Sequence, residues 1–135
     1  MSLRNKILVV TLPLTIIAFL LDRVIWPDMP GMAAPAAALV PFFMIISAIE
    51  SLSFGLGIAF AVFGWKYTTR ENMAVFVSIV WLMVSWWPHD NMHRVNGMNN
   101  FAGLLRIEYL FHFTLVIAGL IIANYFYKQI SNSKS

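Results

Sequence analysis

Cysteine is absent from all 135 residues. That excludes thiolate metal ligands, disulfides and thiol redox chemistry. Charge is scarce as well. Only 11% of residues are Asp, Glu, Lys or Arg, against about 25% in an ordinary soluble domain. Such a chain has too little polar surface to cover a water-soluble globule. No Gly-rich phosphate loop, nucleotide motif or complete catalytic motif occurs. The nine basic residues are scattered, which argues against nucleic acid as a partner.

What is present is oil. Hydrophobic residues make up 60% of the chain, including eleven Phe, eight Met and five Trp, and the mean hydropathy is +0.76. The bilayer is the solvent that suits this composition. Four apolar stretches stand out, at 6–26, 36–65, 73–87 and 101–127. A spanning helix needs about 20 residues, so the third must borrow length from its flanks. The first is expected to be an uncleaved helix, because Asp22, Arg23, Trp26 and two prolines separate it from the alanines at 33–38.

The loops at 27–35 and 88–100 are short, and 128–135 is a polar tail. These features predict an all-α fold, a single integral membrane domain built as an up-down four-helix bundle. Arg4, Lys6, Lys66, Arg70, Lys128 and Lys134 would lie on one side, and Arg23, Arg94 and Arg106 on the other. Cytoplasmic sides are rich in Lys and Arg. The expected localisation is the cell membrane, with both termini cytoplasmic and the 88–97 loop outside.

That outer loop is the unusual segment. In "WWPHDNMHRVNG", Pro88 suits the first turn of a new helix, and Asn96-Gly97 suits its end. His89 and His93, four apart, would share a face of such a helix. The pattern H-D-x-x-H is not the metalloprotease pattern H-E-x-x-H, whose glutamate serves as base. In the fourth stretch, Glu108 and His112 are also four apart. Counted from Phe101, they lie about 10 Å and 16 Å along the helix, which puts His112 deeper than His89 and His93. Ionisable groups at such depth usually face a partner.

Glu50 is a second intramembrane acid. The stripe it begins, through Phe54, Gly57, Ala61 and Gly64, is rich in small residues. So is the stripe from His112 through Leu115, Gly119 and Ala123. Small residues let membrane helices approach closely, so the second and fourth helices are expected to pack on one another and bring Glu50 beside His112.

Together these residues predict one outward-facing pocket. His89, His93, Glu108 and His112 are the candidate metal ligands, with Asp90 and Glu50 as further ligands or orienting groups. Asp22, Arg94 and Arg106 balance charge. Imidazole and carboxylate suit iron, copper, zinc or manganese. Haem b is less favoured, because His112 would lie too deep to share an iron with His89 or His93. The overall look resembles accessory or metal-bearing subunits of membrane oxidoreductases, copper-dependent monooxygenases among them, although no residue motif carries roles over. The expected function is a metal-binding subunit of a membrane redox or oxygenase complex, partnered by lipid and by other membrane subunits or further copies of itself. Two alternatives stay open: a structural accessory subunit without a cofactor, and a small proton- or cation-coupled transporter working as an oligomer.

Overall fold

The structure, a computed structural model, describes residues 1–27, 30–31, 33–96 and 101–133, without the side chains at 23, 96, 101–104, 106 and 107. Arg106, expected to balance charge, and Asn96-Gly97, expected to stop a helix, therefore lie wholly or partly outside the described residues.

Four α-helices and two short 3-10 turns make up the described chain, with no strand among them. Helix α1 (Leu3–Ile25) is capped by Ser2, whose hydroxyl accepts from the Asn5 amide. Helix α2 (Val40–Phe63) follows a 3-10 turn at Ala37–Leu39 and carries Pro41 in its first turn, where a missing N–H costs nothing. Between them, Gly31 holds φ at +84°, a value that favours glycine. Helix α3 (Met73–Asn96) follows a second 3-10 turn, Trp65–Tyr67. The turn into it is closed by Asn72, whose Oδ1 accepts from the Thr69 amide at 2.8 Å. Helix α4 (Phe101–Asn132) is the longest, at 32 residues.

The largest departure from the sequence reading is at Pro88. No new element starts there, and residues 88–96 are not a loop. Helix α3 runs through the proline to Asn96. Proline inside a helix forfeits the hydrogen bond to the carbonyl four residues back. Here both flanks are anchored. Trp87 is buried, with its ring 5.0 Å from Phe54 and 6.1 Å from Trp26. The buried Asn91 donates its side-chain amide to the Trp87 carbonyl at 2.7 Å.

The helices pack in chain order: α1 on α2, α2 on α3, α3 on α4. Glycines in α2 set the two central approaches. A Cβ at Gly55 would meet the Thr11 carbonyl of α1 at 2.8 Å. A Cβ at Gly57 would meet Val84 and Met83 of α3 at 2.8 and 2.9 Å. The small-residue stripe of α2 is thus a packing face, but its partner is α3. Among the described residues no extensive contact with the α4 stripe is formed, and a Cβ at Gly119 would meet nothing within 4 Å. The short 64–72 connection holds α3 beside α2, and α4 is left on the far side of α3.

Burial is inverted relative to a soluble domain. Apart from Trp87, the described buried residues are small or polar: Ala18, Ala59 and Ala118, but also Thr11, Asp22, Glu50, Ser51, Ser78, Ser85 and Asn91. Large apolar side chains such as Leu20, Val24, Leu110, Phe113 and Leu120 point outward. Membrane helices associate in this way, because lipid removes the hydrophobic drive to hide Leu and Phe and leaves close packing and hydrogen bonds to hold them. Three segments are long and apolar enough to cross a bilayer: Leu3–Asp22, Ala37–Phe63 and Glu108–Asn132. Helix α3 is not one of them, since its final turns carry His89, Asp90, His93 and Arg94.

Candidate metal centre

The unbroken course of α3 decides where its histidines sit. His89 is seven residues before the end of α3 and Glu108 seven residues after the start of α4. Each is therefore about 10 Å from the shared connection. The expected depth difference between His112 and the other two histidines disappears, and all three imidazoles meet at one level.

They meet on the Glu108 carboxylate. His93 Nε2 lies 2.7 Å from Oε1 and His89 Nε2 lies 3.0 Å from the same oxygen. The two nitrogens are 3.2 Å apart. His112 Nδ1 lies 2.9 Å from the other oxygen, Oε2, and 2.9 Å from the Glu108 carbonyl of its own helix. His89 is held flat on Phe111, with ring centroids 4.1 Å apart and planes 15° from parallel. One turn further along, Trp81 donates to Thr114 Oγ1 at 3.0 Å, and Thr114 donates to the Phe111 carbonyl at 2.7 Å. These contacts fix the register of α3 against α4.

The carboxylate is sheltered, with 14% of its side chain exposed, and His89 is nearly as sheltered at 16%. His93 and His112 are open, at 41% and 54%. The cluster therefore has a closed floor and an accessible side. Burial pushes the His89 imidazole, which lies outside the three apolar spans, below the ordinary histidine pKa, against the pull of Glu108. Neutral imidazole is the form that binds metals.

His89 Nε2, His93 Nε2 and Glu108 Oε1 form a compact triangle, and this group of three can hold a metal ion. An ion about 2.1 Å from each atom would sit roughly 1 Å off their plane, with its far side open. Two imidazoles and one carboxylate on one face of an ion is a known arrangement for metals that keep open positions. Protons serve this triangle poorly. If both histidines donate to Oε1, their two N–H groups crowd each other across 3.2 Å. The close nitrogens also disfavour haem b, since no macrocycle fits between them.

The other candidate residues form a separate site. Asp22, Glu50, Asp90 and Arg94 lie among α1, α2 and α3. Arg94 Nη1 binds Asp22 Oδ2 at 3.1 Å, and Nη2 reaches the carbonyls of Asp22 and Trp26 and the side chain of Asn91. Ser47 donates to Asp22 Oδ2 at 3.0 Å. Glu50 lies beside Asp90. The single pocket expected from the sequence is therefore two sites, and neither Glu50 nor Asp90 reaches the histidines. The cause is helical geometry. Asp90 and Arg94 follow His89 and His93 by one residue each, which turns them about 100° around α3.

Sequence reasoning overlooked Phe111, Thr114, Trp81, Ser47 and Asn91. Phe111 carried a signal, since it is three residues from Glu108 on the adjoining surface of α4. No protein-family model, curated protein or solved structure matches the chain.

Proposed function

We propose that the protein is a multi-pass membrane protein that binds a transition metal through His89, His93 and Glu108 and serves as the metal-bearing subunit of a membrane redox or oxygenase complex. The observation that carries the metal reading is the triangle of three ligand atoms, with no side longer than 3.2 Å and one side open. His112 holds the second carboxylate oxygen and so fixes which oxygen faces the metal. Nitrogen and oxygen donors suit iron, copper, zinc or manganese, and the open positions leave room for water, oxygen or a small substrate.

The subunit reading draws support from α4. Helix α3 alone packs extensively on it, and Leu110, Phe113 and Leu120 are each more than 60% exposed. That face suits lipid or another membrane subunit. In this reading the chain runs up and down with both termini in the cytoplasm and the metal centre toward the outer surface.

The test is metal analysis of gently purified protein, followed by reconstitution with Fe(II), Cu(II), Zn(II) and Mn(II) in turn. About one ion per chain is expected. His93→Ala and Glu108→Ala should abolish stoichiometric binding while helical content, read by circular dichroism, is retained. Wild-type protein that takes up none of the four metals would exclude the metal reading.

A further inference from the structure

The second polar site opens into a cavity of about 670 Å³ between α1, α2, α3 and residues 33–35. Ligand pockets usually span about 300 to 1,000 Å³. One end is polar, carrying Asp22, Ser47, Glu50, Asp90, Asn91 and Arg94. The walls leading to it are apolar, with Phe19, Leu20, Val40, Phe43 and Met44 among them.

The polar end holds buried carboxyl oxygens without a matching donor. Asp22 and Glu50 are 5% and 2% exposed, yet Asp22 Oδ1 and Glu50 Oε1 have no hydrogen-bond partner. Arg94 is the only cation among the described residues lining the cavity. Its Nη atoms are committed to Asp22, Trp26 and Asn91. Asp90 is hydrogen-bonded to Glu50, so the two carboxyls share a proton unless a cationic N–H group replaces it. A buried carboxylate oxygen without a donor is costly, and an incoming N–H group relieves that cost. A bare metal ion does not fit as well. Among the described residues, the group of side chains close enough to share one ion is the histidine cluster, and these three acids are not in it.

We infer that this cavity binds a primary alkylammonium, with its N–H groups on the Glu50 and Asp90 carboxyls and its hydrocarbon along Phe19, Phe43 and Met44. A free alkylamine or the headgroup of an ethanolamine lipid supplies the same chemistry. The site is independent of the metal centre, because it uses the adjoining face of α3.

The test uses the full chain in nanodiscs of phosphatidylcholine, a lipid without a primary amine. Equilibrium dialysis with radiolabelled hexylamine should show one saturable site per chain above the partitioning of empty discs. Unlabelled hexylamine should displace it and hexanol should not. Glu50→Gln and Asp90→Asn should each weaken binding tenfold or more, whereas His93→Ala should leave it unchanged. Repeating the titration in discs containing phosphatidylethanolamine separates the sources. Competition there assigns the headgroup as a ligand, and undiminished binding assigns the free amine. Partitioning without saturation, or equal displacement by hexanol, overturns the inference even if neither variant folds. Equal affinity in a folded Glu50→Gln protein overturns it too.

Discussion

Arg94 bridges two helices with one guanidinium. Its contacts to Asp22 and to the Trp26 carbonyl tie the end of α1 to α3. Asp22 is 7% exposed at its side chain and Arg94 19%, so removing one partner strands a charge with little water around it. Asp22→Ala is expected to cost about 3 kcal/mol. Replacing both with leucine should cost much less, and a double-mutant cycle in a denaturing-detergent titration reads the difference. His112 acts by orientation, through the oxygen that does not face the nitrogens. His112→Ala should therefore keep one metal per chain at saturation but weaken affinity by about 10- to 100-fold, whereas His93→Ala removes a ligand outright. Competition with a chelator of known affinity separates the two outcomes. The gathering of these side chains was legible in the sequence, because His89/His93 and Glu108/His112 are each four apart. Their division into two sites was not, because one residue of offset moves Asp90 and Arg94 to another face of α3.

Helix α2 carries glycines toward two different neighbours, and each admits a helix that any side chain would push away. The Cβ of alanine at position 57 would lie 2.8 Å from Val84 and 2.9 Å from Met83. The Val84 methyl can rotate, but the Met83 Cβ and the Val84 backbone nitrogen, 3.2 Å away, cannot. Gly57→Ala should lower stability by about 1 to 3 kcal/mol. Gly119→Ala, with nothing within 4 Å, should be neutral or slightly stabilising, since alanine favours helix over glycine. The same detergent titration compares them, and equal damage at both positions would restore the α2–α4 contact expected from the sequence. The helices themselves were readable from hydropathy, and α2 and α4 from length alone. The pairing was not, because small residues mark a close approach without naming the partner. Pro88 misled for a related reason. A local preference for ending a helix was outweighed by Trp87 and Asn91, whose burial holds α3 straight on through the proline.

At the scale of the whole molecule, the exposed surface is the quantity that must be explained. Helices α1, α2 and α4 turn Leu, Ile, Val and Phe outward along lengths sufficient to cross a bilayer. An apolar surface of that extent is not sustained in water. With lipid around it, the ionisable groups become costly, and most of the described ones lie near the ends of the apolar spans or in ion pairs, with Glu50 at the middle of α2 the exception. In the proposed topology the distribution of Lys and Arg gives direction, six residues against three, with both termini on the richer side. Because the chain has no cysteine, single introduced cysteines report sidedness cleanly. Gly31→Cys, in the α1–α2 connection, should react with a membrane-impermeant maleimide in intact cells. Ser2→Cys and Ser133→Cys should react only after the membrane is opened. The pattern requires four crossings, one per helix, so in the proposed topology α3 crosses too, although its hydropathy alone does not qualify it. Labelling of Ser2→Cys and Ser133→Cys on opposite faces would mean that α3 does not cross. Its polar last turns would then lie along the surface, and the metal centre at their junction with α4 would open to the other compartment.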